Sequence, residues 1–231
     1  MEKETISRGN GSNGKSAVPF SLDQTHLNDY KPAQVRTPVG SQGGVARSDR
    51  LESIVKELLT ELGVDVNDQH FKGTPGRVAR LYQELTRGYN VKPSEILKTF
   101  QSKHSELIVV SDIGFNSLCP HHLAVYRGRM NFAYVPDGKI VGLSKIPRLV
   151  ETMSARMIVQ EDLVSEIADA FMDSVKPLGC AVRATGRHDC VAVRGVRSHE
   201  VSMTTVALRG VFRDRSSLAE EFHQVVSQSA K

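Results

Sequence analysis

The chain lacks any long apolar run. Its longest unbroken aliphatic stretch is Leu107-Ile108-Val109-Val110. A membrane-spanning helix needs about 20 mostly apolar residues, so none is expected. The start, Met1-Glu2-Lys3-Glu4-Thr5, has no apolar core, and no secretory signal is readable there. Cysteine is scarce and odd in number, three in 231 residues. A disulfide framework is therefore not expected, and metal binding or plain burial is the better use for these thiols. A strong charge of one sign is also missing. Thirty basic against 26 acidic residues give a net charge of +4 and a pI near 9.0. That balance suits an anionic small molecule and is too weak to argue for nucleic acid.

What is present is ordinary globular composition, 39% hydrophobic and 24% charged. It excludes a wholly disordered chain, a collagen and a coiled-coil rod. Residues 1–50 stand apart, with six Gly, six Ser, three Asn and three Pro and no apolar period. Such a segment buries too little surface to offset its ordering entropy. Residues 1–47 are read as a disordered tail and residues 48–231 as one catalytic domain. The tail's seven basic and five acidic residues to position 50 leave a basic nucleic-acid arm as a weak alternative.

From Ser48 the pattern turns helical. Leu51, Ile54, Val55, Leu58, Leu59 and Leu62 share one face, and Gly63 can end the helix left-handed. Thr74 and Pro75 are placed as N-cap and first helical residue of a second helix, closed by Gly88. A short helix follows Pro93. Strands are predicted over 106–111 and 123–135, with Asp137-Gly138 as a hairpin turn to a returning strand over 139–143. Helices over 144–155 and 161–175 come next. Strands over 179–185, 190–196 and 203–212 follow, and Ser217-Leu218-Ala219-Glu220 reads as a capping box for a last helix. This order gives an α+β layout with a largely antiparallel sheet and packed helices.

The densest chemistry lies in Cys119-Pro120-His121-His122. Cys119 and His122 have the C-x-x-H spacing that lets one turn present both to a zinc ion. Cys190, in His188-Asp189-Cys190, can supply a third ligand. Two thiolates, one imidazole and a water make an open site of the catalytic kind. The plain alternative is buried thiols with surface histidines. Cys180, within Gly179-Cys180-Ala181-Val182, reads as merely buried.

A second cluster is basic. Gly142-Leu143-Ser144-Lys145-Ile146-Pro147-Arg148 puts a hydroxyl and two cations at a strand-to-helix junction, where a phosphate is favoured. The alternative is a solvated helix start. Arg194 follows Cys190 by four residues, and a strand there would carry it toward the same place. Gln160-Glu161 opens a helix. A glutamate there matches the helix dipole, and its carboxylate can also accept two hydrogen bonds from the N1–H and 2-amino edge of guanine.

The succession Gly73-Thr74-Pro75-Gly76-Arg77-Val78-Ala79, Cys119-Pro120-His121-His122, Gly142-Leu143-Ser144-Lys145-Ile146-Pro147-Arg148, Gln160-Glu161, His188-Asp189-Cys190 and Arg194-Gly195 closely resembles the GTP cyclohydrolase I family, from about residue 50 to 225. The resemblance implies a tunnelling-fold subunit in a cytoplasmic, toroidal homodecamer with sites between subunits. It implies zinc on Cys119, His122 and Cys190, and acid–base roles for His121 and His188. Ser144, Lys145, Arg148 and Arg194 would hold the triphosphate of GTP, and Gln160 with Glu161 its guanine. The implied product is 7,8-dihydroneopterin triphosphate, with release of formate. One position departs: the family commonly has Glu where this chain has Pro120, which removes a carboxylate and a backbone donor. Rival readings are a partial-reaction enzyme that stops at a ring-opened formamide, and a GTP-binding regulatory subunit without catalysis.

Overall fold

The computed structural model describes the backbone of residues 44–229 and the side chains of residues 48–228. The expected tail falls largely on residues 1–43, outside the described residues. Helix α1 (Gly44–Glu61) and helix α2 (Thr74–Leu85) pack on each other. Gly63, at φ +80, ends the first of these as its sequence suggests. The second starts one residue earlier than expected. Gly73 is at its cap, and Thr74 turns its hydroxyl to the His70 carbonyl and the Arg77 guanidinium rather than to the helix amides. Gly88 sits in a one-turn 3-10 segment, Arg87–Asn90. Its lack of a side chain is a packing need, because a Cβ would come within 1.9 Å of the Thr152 carbonyl oxygen.

After the short α3 (Pro93–Ile96) comes β1 (Thr99–Gln101), then the long strands β2 (Ile108–Leu118) and β3 (Val125–Val135). The β2 strand outruns its predicted end because a bulge at Asp112, φ 61, lets pairing with β3 resume at Ile113. Asp137-Gly138 does make a turn, with Gly138 at φ +67, but not a hairpin onto β3. The returning strand β4 (Lys139–Val141) pairs with β1 instead, Phe100 opposite Ile140. Local turn chemistry is correct there, and tertiary pairing overrides the partner.

Helices α4 (Lys145–Ser154) and α5 (Gln160–Val175) lead to β5 (Gly179–His188) and β6 (Met203–Gly210). The main sheet is antiparallel in the order β2-β3-β5-β6. Period-two alternation divides its faces. Ile113, Phe115, Tyr126, Met130, Phe132, Cys180, Val182 and Ala184 meet Leu149, Leu163, Ile167 and Phe171 of α4 and α5 in the main core. Phe171 wedges between Phe132 and Tyr134, ring centroids 4.6 and 5.1 Å away, and full burial of such a side chain contributes about 1.5–3 kcal/mol. On the other face Ala133, Val135 and Ala181 pack against Phe212 and Phe222. Those two rings come from α7 (Val211–Asp214) and α8 (Ser216–Ser229). The last helix begins at Ser216, so Ser217 lies inside its first turn rather than at a cap.

The expected strand over 190–196 is not formed. Residues Asp189–Ala192 make a one-turn helix, α6, and Gly195 and Arg197 take positive φ in the turn that follows. A short apolar run such as Val191-Ala192-Val193 has no period that separates strand from helix. The break bends the chain straight after β5, and that bend is what brings Cys190 back toward β2.

Candidate active site

Strand β2 ends at Leu118, and the next residues, 119–124, turn the chain into β3. Cys119 is pinned at both ends of this loop: its N–H donates to the Ala124 carbonyl and its carbonyl accepts from Leu123 N–H, at 2.8 and 2.9 Å. The loop closes with Leu123 at φ 52. Its tightness puts Cys119 Sγ 3.9 Å from His121 Nδ1 and 4.0 Å from His122 Nδ1. Cys190 arrives from α6, and one ligand atom from each of Cys119, His122 and Cys190 lies within 4.8 Å of the others. In a tetrahedral zinc site such atoms stand roughly 3.5–3.8 Å apart, from Zn–S and Zn–N bonds of about 2.3 and 2.0 Å. The donor set and its spacing fit a metal ion with little movement. Burial and the neighbouring Cys119 thiol push the Cys190 thiol up. A bound cation reverses that penalty.

Arg194 reaches the same place without a strand beneath it. Its guanidinium meets His122 Nε2. His188, the last residue of β5, is half-buried. Its ring lies flat on Tyr126, 4.5 Å between centroids and 3° between planes. Its Nε2 is 3.1 Å from Gln160 Oε1. Burial holds the imidazole below its ordinary pKa, and the carboxylates of Glu161 and Asp189 are near enough to pull against that. Glu161 is exposed in the first turn of α5. Gln160 beside it is fully buried, so the two neighbours meet different surroundings.

Of the expected phosphate cations, Lys145 and Arg148 stand apart from Arg194 and the cysteines. Ser144 is exposed at the cap of α4 and makes no side-chain cap bond. Lys145 and Arg148 open onto a groove of about 460 Å³ lined also by Glu95, Lys98, Glu151 and Thr152, with none of Cys119, His122 or His188 on it. Lys98 is a cation that sequence reasoning missed. Its carbonyl accepts from Gly142 N–H, which ties it to the strand-to-helix junction. A larger cavity, about 1110 Å³, lies on the sheet face away from α4 and α5, lined by Arg127, Arg129, Arg183 and Arg187. It is not where the cysteines and histidines gather.

The profile of the family described as GTP cyclohydrolase I matches residues 51–227. The chain belongs to the GTP cyclohydrolase I family. A relative named GTP cyclohydrolase 1 from Campylobacter jejuni subsp. jejuni serotype O:23/36 is 42% identical over 182 residues, covering 78% of this chain and 96% of its own. Another of that name from Chlorobium chlorochromatii is 40% identical over 183 residues, covering 78% and 82%. A solved structure, the archaeosine synthase QueF-Like in its apo form, is similar over 48% of this chain and 97% of its own, with 19% identity and a TM-score of 0.39.

Against this GTP cyclohydrolase I framework, the structure gathers Cys119, His121, His122, Cys190 and Arg194 at one spot, with Gln160 and His188 bonded to each other nearby. It does not join them, within one chain, to the Lys145 and Arg148 groove. Cys180 stands apart, fully buried beneath α5, its thiol pushed up to about 12 by burial. Tyr126 was also missed. Its signal was readable: on β3 it shares a face with Met130 in the main core, alternating with Arg127 and Arg129.

Proposed function

We propose that this chain catalyses the zinc-dependent conversion of GTP to 7,8-dihydroneopterin triphosphate and formate. The observation that carries the reading is the Cys119, His122 and Cys190 triad beside a half-buried His188 and an exposed Glu161. The family membership and the relatives' shared name support it. Three protein ligands leave a fourth position open, and a zinc ion held there supplies an activated water at neutral pH.

The chain's own residues do the rest. Glu161 accepts from the N1–H and 2-amino group of guanine and sets C8 toward the triad. His121 and His188 move protons: one protonates N7, which makes C8 electrophilic. One water opens the imidazole ring to a formamide, and a second hydrolyses the formamide and releases formate. The ribose then opens, rearranges and condenses with the freed amine, returning one water. Ser144, Lys145, Arg148 and Arg194 hold the triphosphate, with Lys98 beside them.

The assembly proposed is a homodecamer with each site shared between chains. Two features support association of copies. Ile54 and Leu58 of α1 and Leu62 just past its end form an exposed apolar stripe, 45–69% accessible. The sheet order leaves β2 and β6 as outer strands among the described residues. The separation of the Lys145 groove from the cysteines is also what a shared site requires. Among the described residues no helix is long and apolar enough to cross a membrane, and the cytoplasm is the proposed location.

The test is incubation of purified, zinc-loaded protein with GTP, followed by mass analysis of products, a formate assay and a zinc count. The expected result is one formate per pterin and about one zinc per chain. Accumulation of a ring-opened formamide, or GTP binding without formate, would replace this reading with one of the rivals.

A further inference from the structure

Gln160 is fully buried, and every partner of its amide belongs to this chain. Its Nε2 lies 3.3 Å from the Ala184 carbonyl oxygen, 3.0 Å from the Met203 carbonyl oxygen and 3.1 Å from Thr205 Oγ1. Backbone carbonyls only accept, so this end of the amide must be the NH2 group. Turned the other way, Oε1 would face two carbonyl oxygens in a dry interior, where an unpaired buried acceptor costs about 1–3 kcal/mol. Oε1 therefore points to His188, 3.1 Å from its Nε2. An amide oxygen has no hydrogen to give, so the His188 nitrogen must donate. The cradle is shaped for this contact. A Cβ on Gly186 would come within 2.4 Å of Gln160 Oε1, and Tyr126 fixes the plane of the His188 ring by stacking on it.

We propose that Gln160 is a positioning residue rather than a guanine ligand: its locked amide holds the neutral His188 ring as the Nε2–H tautomer and leaves Nδ1 as the nitrogen with the free lone pair. The claim rests on the reading of His188 as an acid–base group. It narrows that reading, because only one ring nitrogen can then begin a cycle as a base. It also leaves Glu161 as the sole guanine-reading side chain of the Gln160-Glu161 pair, since three acceptors already surround the two amide hydrogens of Gln160.

The tautomer can be read without turnover, by solid-state nitrogen-15 NMR of zinc-loaded, full-length protein labelled at the histidine rings. His188 is assigned by the signals lost in His188→Gln. The expected wild-type pattern is a protonated Nε2 and a bare Nδ1. A protonated Nδ1 overturns the proposal without any further variant. Gln160→Ala and Gly186→Ala should each remove the single-tautomer pattern. Each should lower kcat for GTP about 10- to 100-fold, the usual loss when a group that orients a histidine is removed, with KM nearly unchanged. A raised KM with the His188 pattern intact would restore Gln160 to guanine binding and overturn the proposal. A lost pattern with unchanged kcat would uphold the positioning and remove His188 from the chemistry, so the two readings fail separately.

Discussion

His188 and His122 lie in the same site and are held in opposite ways. His188 ends a ten-residue strand, stacks on a buried tyrosine and bonds to a buried amide. Tyr126 is itself anchored, donating from its hydroxyl to the Ile158 carbonyl at 2.9 Å. His122 sits exposed in a short loop, and its ring neighbours are a thiol and a guanidinium. The first histidine is placed by the core. The second is placed by the short loop of residues 119–124. The difference teaches that the histidine proposed for proton transfer is built into the fold, whereas of the residues proposed to hold the metal only Cys119 is buried in the core and His122 stands on an exposed loop.

Breaking the metal side should give the largest effect and leave the other side standing. Cys190→Ser should lose zinc and lower formate release by more than about 100-fold, exceeding the usual loss from changing a residue behind the ligands. The thermal midpoint should fall only modestly, because Cys190 is partly buried at the edge of the main core, which also holds Cys119 but neither His122 nor Arg194. A metal count, a formate assay and a melting curve on one sample check this. Full zinc and full turnover in Cys190→Ser would place the metal elsewhere.

A middle effect is expected at the cations. Arg148→Ala and Arg194→Ala should each raise KM for GTP about 10-fold, the scale of a charge-assisted hydrogen bond to phosphate. Guanosine, which carries no phosphate, should suffer much less. Arg194 is the sharper case, because its guanidinium also meets His122. Its loss should change zinc retention, whereas loss of Arg148 should leave it as it is. Equal losses for GTP and guanosine in both variants would make these arginines structural.

Smaller still is Cys180→Ala. The thiol is buried far from solvent and donates weakly to the Ala168 carbonyl, 3.6 Å away. Its loss should cost about 1 kcal/mol of stability, as for a small buried group, with zinc and turnover kept. Smallest is removal of residues 1–43. Their breaker-rich composition provides no apolar period, and turnover should stay within about twofold for a segment that contributes nothing to the transition state. Loss of activity in a truncated protein that still assembles would overturn that reading.

Pro120 belongs to the same contrast. It lies exposed in the metal loop, between Cys119 and His121. Proline fixes φ and thereby stiffens a turn whose ends are already tied by Cys119. The change falls on the exposed part of the loop, between the buried Cys119 and the exposed His121.

Much of the site was legible because ligand chemistry imposes short spacings. A cysteine and a histidine three residues apart must share a turn, and Gly63 past the apolar stripe of α1 had to be left-handed. Other expectations failed where local signals are silent. Asp137-Gly138 fixes a turn but not the partner of the strand that leaves it, and β4 chose β1. Val191-Ala192-Val193 has no period to separate strand from one turn of helix. Arg194 still reached the site, by a bend rather than along a strand. Gln160 and Glu161 are adjacent in sequence and look like one recognition pair. On the first turn of a helix they point about 100° apart, and the fold buries one and exposes the other.

The sequence by itself determined the donor types, the cations and the alternation that separates the two faces of β3 and β5, because residue chemistry and a period of two need no tertiary information. Only the tertiary structure decided that Cys190 meets Cys119, that Tyr126 lies under His188 and that Gln160 turns inward. These are contacts between residues 24 to 71 positions apart, and their geometry follows from how α5 packs across the sheet and where β5 stops, which no local pattern encodes.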